Sequence, residues 1–430
     1  MSSSTEETPS PAAGGSAEKD LAGFNPFDPA VQAQPWEYND RLIAEAPVHR
    51  EPNTGLFLVS SYALVSRVLG DHETFSNRFM LMMGGGKAAK VPDAVAEVMK
   101  EGYPPVDTML TADPPEQRRF RSLVNKGFSL RRVSALAPRI EALVAELIDT
   151  FVAEGRVELR SQFAVPLPLT VIAEQLGVPR EDLAKFKKWS DGFVAQLSGM
   201  ASPDEQVAAW KLIVEFQKYF EKILKDRAET PQADILSAVV GARIEGERSL
   251  DVAECLSIIQ QLLVAGNETT ASAICEGMWL LMQNPEQLDR LRADPGLIPN
   301  AVEEILRMAT PTANMWRVCL KDTELGGVDI PSGSAMIVRF SAANRDPAVF
   351  ADPHAFDVAR SNAGEHLALG AGVHFCLGAQ LARMEMTKAF EALLERLPNP
   401  RIEPGSPAPD YPANILLRGM RVLPVEFDLA

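Results

Sequence analysis

Residues 366–383 read HLALGAGVHFCLGAQLAR, in which Gly370, Gly372, His374, Cys376 and Gly378 stand in a fixed frame just ahead of a stretch predicted to be helical over 377–397. Glycines so placed permit tight backbone turns and let a flat ligand come close to the main chain. A helix beginning just after a cysteine aims its free N–H groups and positive dipole end at the sulfur, which favours the thiolate. The plainer reading is an ordinary buried cysteine, since unpaired Cys is among the most buried residue types. That reading suits Cys255, Cys275 and Cys319, which lack such a frame. It does not suit Cys376, because a cysteine that merely fills a core needs no glycines around it.

Outward from this segment, the stretch 311–360 reads as short strands and turns, with 328–330 and 337–340 as strands. Before it the chain is mostly helical to about Met308, and Leu256, Ile259 and Leu263 recur at helical spacing in a pattern that continues to Met282. Such a helix, about 30 residues long, crosses a whole domain. Its middle, Ala265-Gly266-Asn267-Glu268-Thr269-Thr270, carries a glycine and polar residues where local propensity disfavours them. Conflicts of that kind concentrate at functional sites. The plainer alternative is that the threonines bond back to carbonyls one turn earlier.

Nearer the N-terminus, Asp113, Pro114 and Pro115 predict a helix start with Asp113 as N-cap. A short helix over 36–46 precedes a hairpin of 48–50 and 56–59. Residues 73–112 carry no sustained period and contain three successive glycines from Gly84, so they read as a long loop, a feature that is often functional. Residues 1–20 are Ser, Glu, Ala and Gly rich and read as a disordered tail rather than a signal peptide. With no internal repeat, 21–430 reads as one domain.

The net charge of -16 argues against nucleic-acid binding, which needs clustered cations. Gln260, Gln261, Gly266 and Glu268 break the most apolar helical stretch, so no membrane span is expected. Four cysteines without a C-x-x-C pair point to a reducing cytoplasm.

The segment around Cys376 resembles the haem-binding loop of the cytochrome P450 family, Phe-Gly-x-Gly-x-x-x-Cys-x-Gly, and the resemblance extends from about Phe24 onward. Leu369 departs from it, standing where the family has Phe. The resemblance implies a mainly α fold with small β-sheets, a long central helix over the haem, and haem b (iron protoporphyrin IX) ligated by Cys376. It implies that Ala265 and Gly266 leave room for dioxygen, that Thr269 hydrogen-bonds at the oxygen position and that Glu268 feeds protons there. Glu304, Arg307 and Arg360 would form a buried structural network. The same i,i+3 spacing at Glu116 with Arg119 and at Glu245 with Arg248 reads as solvated surface pairs. Gln117, Arg121, Arg317 and His374 would meet the haem propionates, which call for Arg, His or amide donors; many relatives carry His where this chain has Gln117. His49, His72 and His354 read as surface residues.

By position, substrate contacts fall to Phe79, Met80, Leu81, Met82, Met109, Leu110, Asn314, Met315, Asn414 and Ile415. Taken singly these are more often plain core; as a set they suggest a pocket for an apolar molecule, with methionines allowing adaptability. The implied activity is a monooxygenase that inserts one atom of O2 into an apolar small molecule. Electrons would come from a separate ferredoxin and ferredoxin reductase, the chain acting as a monomer. The docking face would be a basic patch of Arg118, Arg119, Lys126, Arg131 and Arg132, since weak redox encounters are small and charge-steered. A haem sensor would need Cys376 but neither Glu268 nor Thr269; a peroxide-using or non-oxygenating haem-thiolate enzyme is the nearer rival.

Overall fold

The central helix, Val252–Gln283, runs 32 residues, about 48 Å at the α-helical rise. It opens on a capping box in which the Asp251 side chain accepts the Glu254 N–H and the Glu254 side chain accepts the Asp251 N–H. Pro166–Gln175, Pro203–Glu229, Ile298–Ala309 and Ala379–Arg396 pack along it. The computed structural model describes residues 21, 24–78, 91–197, 201–232, 234–243 and 248–429.

Two apolar clusters grip the helix at different heights. Ile258, Ile259 and Leu263 join Trp189, Phe216 and Phe220 in one. Ile274, Met278 and Leu281 join Ile305, Phe390 and Leu393 in the other. Neither cluster takes a residue from 265–270, and Ala265 is exposed in the middle of an otherwise buried helix. Apolar packing along the helix thus breaks at the locally unfavourable stretch, although Asn267 and Thr270 within it are buried.

The main sheet has five strands in the spatial order Val48–Arg50, Phe57–Val59, Ala335–Arg339, Asn314–Cys319 and Phe75–Ser76. The first two form the expected antiparallel hairpin, with Val48 opposite Val59. A three-stranded sheet joins Arg156–Glu158, Pro424–Glu426 and Arg401–Ile402, and Thr323–Leu325 pairs with Val328–Ile330. The architecture is mainly α with small sheets, as expected.

Three local expectations are corrected. The stretch 73–112 holds the strand Phe75–Ser76 and the helix Asp93–Met99, whose one buried residue, Val95, gives too weak a period to read. The Asp113 carbonyl accepts the Gln117 N–H at 2.9 Å at the start of the helix Glu116–Asn125, but its carboxylate does not cap that helix and accepts instead from Ser76 Oγ and, at 2.9 Å, from the Asn77 N–H. The helix after the cysteine begins at Ala379, with Gly378 as its N-cap. Among the described residues no helix is long and apolar enough to cross a membrane.

Candidate active site

The cysteine loop is shaped by glycine where the backbone demands it. Gly370 and Gly372 have φ of 68° and 66°, the left-handed region that side-chain-bearing residues rarely enter. A Cβ on Gly372 would lie 2.5 Å from the Leu69 carbonyl oxygen. Gly378 and Gly266, in contrast, border open space, with nothing within 4 Å of a Cβ built on either. The Cys376 N–H closes the loop on the Leu369 carbonyl at 2.9 Å. Leu369 packs on the lower apolar cluster, that of Ile305 and Phe390, and Leu377 on the upper, that of Trp189 and Phe216, so the loop bridges the two.

Burial pushes the Cys376 thiol above its ordinary range, although the Gly378 N–H, Arg121 and Arg383 all pull it down. The Gly378 N–H at the helix start acts in the direction that favours the thiolate, and burial opposes it. A coordinated metal deprotonates a thiol outright.

Polar groups gather at one edge of the loop. Gln117 Nε2 and Arg121 Nη1 both donate to the Val373 carbonyl, at 2.8 and 3.3 Å, beside His374. Both ring nitrogens of His374 are buried without a well-formed hydrogen bond, though the Met109 backbone is near. Burial, with Arg317 and Arg121 nearby, lowers His374 to about 4, so its imidazole is neutral at pH 7. Burial also brings Arg317 down to about 10, with Asp113 opposing; Arg317 Nη1 donates to the adjacent Trp316 carbonyl at 2.7 Å. Buried cations short of partners are costly, and a ligand with carboxylates would relieve Arg317 and Arg121 at once. Gln117 differs: its orphaned atom is the acceptor Oε1, which suits a donor rather than a carboxylate.

On the central helix, Thr269 Oγ1 donates to the Ala265 carbonyl at 2.8 Å, which is the back-bonded alternative. Glu268 is not in contact with Thr269's hydroxyl but takes a hydrogen bond from Arg160 Nη2. Asn267 Nδ2 donates to Ser190 Oγ at 3.2 Å.

Glu304 and Arg307 form a fork at 2.7 and 2.8 Å, both fully buried, and Arg360 Nε donates to Glu304 Oε1 at 3.0 Å. The Arg307 guanidinium also reaches the carbonyls of Asn344, Pro353 and Ala355. The pairs compared with it behave differently from expectation. Arg119 and Arg248 both turn to the buried Glu254, at 3.2 and 2.7 Å, because a buried carboxylate needs cations more than an exposed one does. Glu245 lies outside the described residues.

Of the proposed substrate residues, Phe79, Met80, Leu81 and Met82 lie outside the described residues. Met109 packs against the upper cluster, and the Leu110 N–H donates to Gln261 Oε1 at 3.1 Å, tying that loop to the central helix. Asn314 Nδ2 donates to the Ile415 carbonyl at 2.7 Å, and Met315, in the main sheet opposite Val338, is half-buried. Ile415 belongs to the N-terminal core with Tyr38 and Leu42, and Asn414 caps its own turn through the N–H groups of Leu416 and Leu417. These last two are structural in their placement.

Sequence reasoning missed four charged or titratable groups. Arg160 has a signal in hindsight, an arginine directly after the fully buried Leu159 and just before the fully buried Phe163. The others are Glu303, Arg383 and His366. Arg383 Nε donates to Glu303 Oε1 at 2.6 Å, and His366 Nε2 lies 3.2 Å from the same carboxylate. Burial opposes ionisation of Glu303, but those two partners hold it down at about 2.

A cysteine in a glycine-shaped loop, with carboxylate-seeking cations at its edge, is the arrangement of a haem-thiolate protein. The chain belongs to the cytochrome P450 family, whose pattern, described as Cytochrome P450, matches residues 198–295 and 296–416. It is 37% identical over 401 residues to the cytochrome P450 monooxygenase PikC of Streptomyces venezuelae, covering 92% of this chain and 91% of that one. It is 40% identical over 322 residues to the 6-deoxyerythronolide B hydroxylase of Saccharopolyspora erythraea, 74% of this chain and 78% of that one. Among solved structures, the Bacillus subtilis 168 bacillaene polyketide synthase cytochrome P450 PksS superposes with a TM-score of 0.82 at 31% identity, covering 94% of this chain and 100% of that one. The protein is accordingly a monooxygenase, an oxidoreductase that uses a haem-thiolate cofactor, O2, redox partners and a small-molecule substrate.

Proposed function

We propose that this monooxygenase hydroxylates an apolar small molecule in the cytoplasm, with haem b as its cofactor and electrons delivered by a separate ferredoxin and its reductase. The observation that carries the reading is the break in apolar packing at residues 265–270, where a Cβ built on Gly266 would meet nothing within 4 Å, together with the glycine-shaped loop that holds Cys376. A relative named as a hydroxylase supports the choice of hydroxylation.

The cofactor, when bound, supplies oxygen activation and accepts electrons singly. Cys376 would hold it through sulfur, and the thiolate's electron density favours O–O cleavage. Arg121, Arg317 and the neutral His374 would hold its carboxylates, and Gly378 and Gly266 keep the main chain out of its space. Thr269 would turn its hydroxyl from the Ala265 carbonyl to hold a proton in the open space beside Gly266, and Glu268 would resupply that proton. Met109, Leu110 and Met315 supply apolar and adaptable contacts for the substrate.

The donor would dock where Arg118, Arg131 and Arg132 are exposed, together with the apolar Leu130 and Phe375, 68% and 39% exposed. Phe375 adjoins Cys376 in sequence, so a donor that covered Phe375 would come close to the sulfur. Arg119 is committed to Glu254 and drops out of the patch; the side chain of Lys126 lies outside the described residues.

The test compares turnover by NADH, ferredoxin and reductase with turnover by hydrogen peroxide. The substrates are terpenoids, steroids, fatty acids and small aromatics, ranked first by the low-spin to high-spin shift on binding. Hydroxylated product dependent on NADH and ferredoxin is expected. Product formed only with peroxide would favour the peroxide-using reading instead.

A further inference from the structure

Glu303 stands one residue before the Glu304 of the buried network, on the helix Ile298–Ala309, yet it faces a different set of partners. Arg383 closes a fork on it, with Nε donating to Oε1 at 2.6 Å and Nη2 to Oε2 at 2.8 Å. His366 Nε2 lies 3.2 Å from Oε2. The ring's Nδ1 accepts the Ala368 N–H at 3.2 Å, so in the neutral ring the proton sits on Nε2, toward the carboxylate. The angle is poor, since Nε2 makes no well-formed hydrogen bond among the described residues, and the contact is electrostatic.

These two partners flank the cysteine loop. His366 stands ten residues before Cys376, and Arg383 seven residues after it, on the helix Ala379–Arg396. One carboxylate on a third element thus ties down both ends of the segment that presents the sulfur. The side chains of Glu303 and His366 are 17% and 1% exposed, and that of Arg383 is 27% exposed. Burial raises the Cys376 thiol, and the Gly378 N–H, Arg121 and Arg383 oppose it. Of those two cations, Arg121 donates to the Val373 carbonyl, whereas Arg383 carries a carboxylate that offsets its charge. Charges in a half-buried place are screened less than in water, so both the cation and its counter-charge are felt at the sulfur.

We propose that Glu303 is a positioning residue for the haem-thiolate centre, fixing Arg383 beside the Cys376 sulfur and offsetting part of its charge, and so setting the reduction potential of the bound iron. A positive charge near the sulfur favours the reduced iron, which carries one more electron. A carboxylate paired with that charge works against it. Removal of the Glu303 charge should therefore raise the potential, and removal of the Arg383 charge should lower it. The inference rests on Cys376 as the haem ligand, which the carbon monoxide spectrum tests separately.

The test is a spectroelectrochemical titration of the substrate-free holoenzyme, for wild type, Glu303→Gln, Arg383→Met, Arg383→Lys and the double variant of Glu303→Gln with Arg383→Met. Glu303→Gln should raise the equilibrium constant for reduction by up to about tenfold, about 59 mV for one electron. Arg383→Met should lower it by a similar factor. The double variant should return close to the wild type, and Arg383→Lys, which keeps the charge, should stay close to it. The C–O stretch of carbon monoxide bound to the reduced iron reports electron donation by the sulfur, and should rise in Glu303→Gln and fall in Arg383→Met. A loop merely loosened by the lost contacts would move both single variants the same way. Such a common shift, or no shift in either, would overturn the inference. If Glu303→Gln does not retain haem, Arg383→Met against Arg383→Lys decides the matter, and equal potentials in those two would overturn it.

Discussion

The two sides of the site are built on opposite principles. Behind the cysteine loop, every group of the Glu304, Arg307 and Arg360 network is engaged, with three carbonyls and a carboxylate fork absorbing the Arg307 donors. On the central helix, Glu268 is held by one nitrogen of Arg160, and Thr269 bonds only to its own helix. The saturated side can hold a shape, because each partner that moved would leave a buried charge behind. The other side can change partners cheaply, which is what a group that passes protons must do. The difference separates residues that hold from residues that move.

The largest effect should come from breaking the saturated side. Glu304→Ala strands Arg307, which is fully buried, and an unpaired buried charge costs roughly 3 to 5 kcal/mol. Urea denaturation of the holoprotein should register a loss of that size. A loss under about 1 kcal/mol would mean that the carbonyl partners alone suffice, and the contrast between the two sides would weaken.

Next comes Thr269→Ala. Positioned proton transfer contributes about a hundredfold to ten-thousandfold, so product per NADH should fall sharply while NADH and oxygen consumption persist and hydrogen peroxide accumulates. Substrate affinity and urea midpoint should scarcely change. Thr270→Ala is the control, since Thr270 is buried and one residue along the helix turns the side chain by about 100°. Coupling lost in Thr270→Ala but kept in Thr269→Ala would reverse the register assigned to this helix.

A smaller effect should distinguish two glycines of the cysteine loop. Gly372→Ala meets both a left-handed backbone and the Leu69 carbonyl, and should cost roughly 1 to 2 kcal/mol or more. Gly378→Ala meets neither and should leave stability within about 0.5 kcal/mol. Equal losses in the two would mean that the loop is more yielding than its contacts suggest.

The contrast also explains what could be read from the sequence. The long helix was legible because Leu256, Ile259 and Leu263 repeat over many turns, and the hairpin because Asn53, Thr54 and Gly55 mark a turn between Val48–Arg50 and the apolar run 56–59. The glycine frame was legible because a positive φ leaves a mark in residue type at Gly370 and Gly372. The helix Asp93–Met99 and the strand Phe75–Ser76 were not, being too short to carry a period. Partner choice was the least legible. Residue type announces that Glu268 and Arg119 are charged, but only packing decides that Arg160 comes to one and Glu254 to the other. Nor does type alone reveal that Ile415 faces the N-terminal core.

The central claim is that the Cys376 sulfur is the ligand around which both sides are arranged. The direct measurement is the absorption spectrum of the reduced protein under carbon monoxide, for wild type and Cys376→Ala. A strongly red-shifted Soret band in the wild type, abolished in Cys376→Ala, is the expected result; a wild-type band at the position typical of histidine-ligated haem would contradict it.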